Sequence, residues 1–184
     1  GSTYSCVKNG GPAVVSNSIT LAVGDTATCT IVNNDIAATL TLLKTVVNDN
    51  GGTALDTAWT LTATGPTTIS GIEGNAAVTN AGVNGGSYTL TESGPAGYAQ
   101  TSLICSGAPH ANPNDGLTIV VGENITCTFT NNDISPKLTL LKTVVNNNGG
   151  TALDTAWTLT ATGPTTISGI EGTGIQGIEG TGVA

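Results

Sequence analysis

One long run of this chain occurs twice. LTLLKTVVNDNGGTALDTAWTLTATGPTTISGIEG begins at Leu40 and returns at Leu138 with a single change, Asp49 against Asn147, which sets a period of 98 residues. The strand-like words around the cysteines obey the same period, ATCTIVNND with Cys29 and ITCTFTNND with Cys127. Repetition at fixed spacing means that one folding unit is used more than once, and about 100 residues is an ordinary size for a β-sandwich. The phase of the repeat divides the chain. Residues 36–135 hold one complete unit, residues 1–35 match its last third, and residues 136–172 match its first third. Residues 173–184 depart from the repeat, because GIEGTGIQGIEGTGVA nearly duplicates itself at a spacing of eight. Such a Gly-rich tail reads as a linker, or as an edge strand that docks on a neighbour. The chain thus opens and closes in mid-unit, as a window on a tandem array would, or as a subunit whose two ends complete each other head-to-tail between copies.

The unit is expected to be all-β. No 3.6-residue periodicity persists, and alternating segments near 39–47, 57–63, 76–82, 87–92, 99–105, 116–121 and 124–131 predict seven strands. The words NDNGG, TGPTT, NGG, SGPAG and PNDG separate them as turns. With 12 acidic and 4 basic residues the net charge is −8, and nucleic-acid binding, which draws on clustered Lys and Arg, is not expected. No apolar run is long enough for a membrane-spanning helix, so membrane insertion is not expected. The opening GSTYSC carries no secretory leader and fits a mature product or a piece of something longer.

Aromatic residues make up only 3% of the chain, so the core is thin and covalent reinforcement is expected. Four cysteines fall into two similarly spaced pairs, Cys6 with Cys29 and Cys105 with Cys127, with no CxxC spacing for zinc. An even count at repeated spacing reads as one disulfide per unit in an oxidising compartment; four buried thiols are the alternative. A loop of this length would be stabilised by about 3 kcal/mol on the chain-entropy model.

A lysine sits where a strand should not want one. In LTLLKTVVN, Leu40, Leu42, Lys44 and Val46 share one face. Tyr88, Leu90 and Glu92 share a face in SYTLTES, as do Ile125, Cys127, Phe129 and Asn131 in ITCTFTN. A lysine, a glutamate and an asparagine are therefore each in register with an apolar face. One isolated buried charge is a liability, but the three together have a chemistry. A desolvated lysine becomes a neutral amine nucleophile, and a carboxylic acid beside an asparagine polarises the amide carbonyl and shuttles protons. Loss of ammonia then leaves a Lys–Asn isopeptide bond, favoured by the high effective molarity inside a fold.

These motifs carry a resemblance. The first-strand lysine in LTLLKTVV, the run GSYTLTESGPAGY with its tyrosine, glutamate and Pro-x-Gly-Tyr, and a last strand ending TFTNND resemble the prealbumin-like, collagen-adhesin B-type domains of bacterial surface proteins and pilins. The resemblance spans about residues 38–133 and, in halves, most of the rest. It implies an Ig-like, prealbumin-like β-sandwich in which Lys44 and Asn131 bond and Glu92 is the catalytic acid. Asn131 is preferred to Asn132 because it is in phase with Phe129. The alternative is that the disulfide supplies the cross-link and Lys44 makes only a salt bridge with Glu92. In the half units Lys142 and Asn33 stand where Lys44 and Asn131 stand, a trans pair between copies. The position matching Glu92 falls outside the sequence, so that pair lacks its acid unless Glu171 or Glu179 reaches in.

Other features point elsewhere less strongly. NDNGG and PNDG suggest calcium, but the second copy reads NNNGG without its carboxylate, and a hairpin turn is the better reading. His110 stands alone in GAPHANPND and reads as a solvated loop residue. Trp59 and Trp157 read as core anchors, with an exposed sugar-binding platform as the alternative. Asn124 opens a glycosylation sequon by pattern. No catalytic triad, paired catalytic carboxylates, phosphate loop, metal site or cofactor motif is found. The expected protein is a secreted bacterial structural repeat of a cell-surface stalk or extracellular filament, not an enzyme beyond a single autocatalytic turnover. Its expected partners are neighbouring repeats or copies of itself, and a ligand-binding adhesin for glycan or matrix is the alternative.

Overall fold

A computed structural model describes residues 1–107, 116–171 and 176–178. Among them there is no α-helix, and short 3-10 turns occur at Asp56–Ala58 and Asp154–Ala156. In the central region eight strands form two sheets. They are β3 (Ala38–Val47), β4 (Thr60–Thr64), β5 (Ile69–Gly71), β6 (Ala81–Val83), β7 (Gly86–Ser93), β8 (Tyr98–Ser106), β9 (Leu117–Ile119) and β10 (Asn124–Asp133). One sheet has the order β6-β3-β10-β8 and the other β5-β4-β7-β9. The first and last of these strands, β3 and β10, are parallel neighbours, with Leu42 opposite Cys127 and Lys44 opposite Phe129.

Alternation builds the core. Every second residue of β10 is buried, from Ile125 through Cys127, Phe129 and Asn131 to Asp133, and β3 alternates likewise through Ala38, Leu40, Leu42 and Lys44. Against them the second sheet sets Leu61, Ala63, Ile69, Tyr88, Leu117 and Ile119, closing one hydrophobic core between the sheets. A fully buried side chain of this kind contributes about 1.5–3 kcal/mol. Cys105 and Cys127, opposite each other on β8 and β10, form a disulfide within the first sheet.

Two expectations need correction. Among its described residues the central unit has eight strands where seven were expected, because Ile69–Gly71, just after the TGPTT turn and assigned to no strand, forms β5, paired with β4. NDNGG is not a hairpin turn: it leaves β3 in one sheet and leads to β4 in the other, so the flanking strands cannot pair. Sheet-to-sheet connections and hairpins use the same Gly-rich turn residues, and only the packing of layers tells them apart.

The remaining strands form small sheets. β1 (Ser2–Lys8) and β2 (Ala27–Asn33) pair antiparallel, with Cys6 opposite Cys29 and bonded to it. Lys8 and Asp25 close the hairpin with an ion pair of 2.5 Å. β11 (Lys137–Thr139) pairs with β14 (Gln176–Ile178), so part of the Gly-rich tail forms a strand, and β12 (Thr158–Ala161) pairs with β13 (Ile167–Ile170).

Candidate functional site

Lys44 enters the core from β3. Its side chain is 0% exposed, and Nζ lies 2.9 Å from Oε2 of Glu92, which projects from β7 of the opposite sheet and is 10% exposed. The ion pair therefore crosses the sandwich. Nζ also lies 4.8 Å from the centre of the Trp59 ring, whose edge meets Tyr98 in a T-shaped contact at 5.2 Å. Gly94 is packed so closely on the indole that a Cβ there would collide with it. Burial pulls the Lys44 ammonium below the ordinary lysine value, and the Glu92 carboxylate only partly restores it. The neutral amine is thus more accessible here than in water.

Asn131 is 4% exposed, two residues along β10 from Phe129, which lies opposite Lys44. Its Oδ1 is buried without a hydrogen-bond partner, as is that of Asn132, and neither Lys44 Nζ nor Glu92 Oε2 has a hydrogen bond beyond their ion pair. Buried polar atoms are rarely left so, since each costs about 1–3 kcal/mol. Lys44 and Asn131 come from adjacent strands of one sheet, and both are in phase with its interior face. The arrangement supplies an amine of weakened basicity, an acid at hydrogen-bonding distance from it and an amide carbonyl with free lone pairs.

A second cluster closes the same end of the core, and the sequence reading missed it. Asp133 accepts hydrogen bonds from the backbone N–H groups of Asp49, Asn50 and Gly52 and from the Asn50 side chain. Burial works to raise its pKa, but these donors outweigh it and hold the carboxyl below the usual range. Tyr98 donates to Asn48 Oδ1 at 2.6 Å and accepts from the Ala54 N–H at 2.9 Å. The NDNGG loop thus turns its N–H groups toward a carboxylate, the opposite of a calcium loop, which offers oxygens. Asp133 continues the alternation of Phe129 and Asn131, and that phase was the available signal. Glu73 was also missed: its Oε2 accepts the Lys44 backbone N–H at 3.1 Å and covers the open edge of β3.

The half units repeat only part of this. Lys142 Nζ lies 4.8 Å over Trp157, and its backbone N–H donates to Glu171 Oε2 at 2.8 Å. Glu171 therefore stands in for Glu73, not for Glu92, and among the described residues no carboxylate ion-pairs with Lys142. Asn33, on β2, accepts from Ser2 Oγ at 2.6 Å; among the described residues no strand ladder joins it to the Lys142 segment. Trp59 is 2% exposed and lies in the core, whereas Trp157 is 38% exposed. Asn124 Oδ1 accepts from Thr39 Oγ1. His110 and Glu179 lie outside the described residues. Among the described residues no cysteine is free, no acidic, His or Cys group is arranged to hold a metal, and no helix is long and apolar enough to cross a membrane.

No curated protein and no solved structure matches the chain. The family described as prealbumin-like fold domain matches residues 35–129 and again residues 133–184. These two matches cover most of the sequence and fall on the central sandwich and on the segment that repeats its first strands, so the chain belongs to the prealbumin-like fold domain family.

Proposed function

We propose that this protein is a load-bearing repeat of a secreted surface stalk or extracellular filament, in which an isopeptide bond between Lys44 and Asn131 ties the first strand of the sandwich to the last. The observation that carries this reading is the buried Lys44–Glu92 ion pair together with a buried Asn131 on the strand next to that of Lys44, whose carbonyl oxygen has no partner. In the step, the Lys44 ammonium first passes a proton to Glu92 across the ion pair, and the neutral Nζ then attacks Cγ of Asn131 while the proton on Glu92 polarises the carbonyl. The Nζ–Cγ bond forms, the Cγ–Nδ2 bond breaks, and Glu92 relays the proton from Nζ to the departing nitrogen, which leaves as ammonia. No oxidant or cofactor enters, and the acid is regenerated after one turnover.

Position explains why such a bond serves a structural role. β3 and β10 are adjacent and parallel, so a pull applied at opposite ends of the unit shears their ladder, and a covalent link between them bypasses it. The Cys105–Cys127 disulfide staples β8 to β10 in the same sheet, and disulfides persist in extracellular compartments. An adhesin reading that uses Trp59 as a sugar platform finds no support, since that ring is covered by Lys44, Gly94 and Tyr98.

Intact mass of the fully reduced protein tests the reading. The native chain is expected one ammonia lighter than its composition, while Glu92→Ala and the milder Glu92→Gln keep the full mass. A native chain at full mass would leave Lys44 and Glu92 as an ion pair and assign the reinforcement to the disulfides.

A further inference from the structure

An irregularity in the first sheet lies beside Asn131. Where β10 pairs with β8, Thr130 is opposite Ser102 but Asn131 is opposite Gln100, so β8 carries one extra residue, Thr101, whose Oγ1 donates to the Thr130 carbonyl at 3.2 Å. A bulge of this kind shifts the alternation of side chains by one. Tyr98 and Leu103 are five residues apart, a spacing that puts side chains on opposite faces of an unbroken strand, yet both pack on the core. The bulge therefore turns Tyr98 inward, level with Asp133 opposite it. There its hydroxyl donates to Asn48 Oδ1 and accepts from the Ala54 N–H, the two residues that flank the NDNGG loop on Asp133. Gly52 in that loop has no room for a Cβ, which would meet both the Tyr98 hydroxyl and the Asp133 carboxylate. At its other side the Tyr98 ring meets the Trp59 indole edge-on, Gly94 closes on the same indole, and the Trp59 ring lies 4.8 Å from Lys44 Nζ. Tyr98 and Gly94 thus keep the indole from tipping, and the indole bounds the space open to the Lys44 amine.

We propose that Tyr98 is a positioning residue for the cross-linking step: tied to the docked NDNGG loop, it holds the Trp59 ring against Lys44, so that closure of the bond waits for that loop to dock. The inference rests on the Lys44–Asn131 reading above and adds a condition for its reaction. Lys44 ends in a flexible four-carbon stem, and an amine confined beside its acid reacts far more often than one that wanders, since a misplacement of about 1 Å costs up to about 100-fold in rate. The ring supplies that confinement without a hydrogen bond that would compete with Glu92 for Nζ. The loop leaves β3 in one sheet and leads to β4 in the other, so its docking requires both layers to be in place. A unit governed in this way is not locked covalently while half packed.

The test follows ammonia loss in time. Full-length chain recovered unfolded from inclusion bodies at its full mass is refolded by dilution, the folded fraction is isolated by size exclusion, and its intact mass after reduction is read at intervals. Tyr98→Leu, which removes ring and hydroxyl, is expected to slow ammonia loss by roughly tenfold or more, and Tyr98→Phe, which frees the ring from the loop, by at least roughly threefold. Ile119→Val, a core change at the other end of β7 from Glu92, is expected to keep the native rate. Trp59→Phe should slow the step by roughly tenfold, and adding Tyr98→Phe to it should slow it no further, because Tyr98 acts through the indole. Native rates in the folded fraction of Tyr98→Phe and Tyr98→Leu overturn the proposal, as does equal slowing by Ile119→Val or an additive double variant. A native chain that keeps its full mass overturns the cross-link itself and this role with it. Ammonia loss in the native chain with an equal rate in Tyr98→Phe and Tyr98→Leu overturns the role of Tyr98 alone.

Discussion

At the scale of single residues, burial and hydrogen bonding act in opposite directions on two ionisable groups of the central core. Lys44 has its pKa lowered from 10.5, chiefly by desolvation. A lowered lysine pKa means that the unfolded chain binds more protons between the folded and unfolded values, so stability rises with pH across that window. The prediction concerns a protein in which the amine stays free. Chemical denaturation of Asn131→Ala is expected to show stability increasing as the pH approaches 10.5 from below, with the rise missing in Lys44→Met/Asn131→Ala. Asp133 behaves in the reverse sense. Its folded pKa lies below 3.8, so its stabilisation is fully present above that value and fades as the pH falls through the folded pKa. Asp133→Asn should melt at a lower temperature than the native chain near neutral pH. The gap between the two should narrow in acid, a trend that a scan of melting temperature against pH would read.

Elements show how much of β-structure is non-local. The 3-10 turn at Asp56–Ala58 is reproduced at Asp154–Ala156, as are the Asn48 to Ala54 hydrogen bond at Asn146 to Ala152 and the Thr62–Ser70 contact at Thr160–Ser168. All of these close over short stretches of chain. By contrast LTLLKTVV is a continuous strand as part of β3, while its copy is regular only over Lys137–Thr139. The central copy has β10 beside it, and among the described residues the other copy pairs only with β14. In β3 the N–H groups of Leu42 and Lys44 face Val78 and Glu73, which leaves those of Leu43 and Thr45 to the β10 side. Amide exchange followed by NMR in dilute protein is therefore expected to be slower at Leu43 and Thr45 than at Leu141 and Thr143 by at least about tenfold.

On the scale of the molecule, stability is concentrated in residues 38–133, where the core cluster and the Lys44 site lie. Trypsin can read this unevenness because the chain has only four Lys or Arg residues, Lys8, Lys44, Lys137 and Lys142. Lys44 is buried, and an isopeptide bond would also remove its charge. Lys137 and Lys142 lie in the partly unpaired segment with exposed neighbours at Leu138 and Leu141. Limited digestion followed by mass spectrometry is expected to cut first after Lys137 or Lys142 and to leave the peptide bond after Lys44 intact. Early cleavage after Lys44 would mean that the central sandwich opens readily and does not resist load.

The repeat, the all-β class, the pairing of cysteines and the in-phase positions of Lys44, Glu92 and Asn131 were legible in the sequence, because period and alternation are properties of order along the chain. Alternation assigns a face but not a partner. That Lys44 meets Glu92 across the sandwich depends on which strands lie in which sheet, and β4 and β7 pair in a sheet apart from β3 and β10. The same limit hid Asp133, whose donors come from a loop more than 80 residues earlier in the chain. It also made NDNGG look like a hairpin turn when it is a crossing between layers. The clearest case is the repeated run itself, since one sequence is a buried strand in one place and an exposed, half-formed one in another. Sequence decided which residues are able to face a core; tertiary structure decided whether there is a neighbouring strand to make that core.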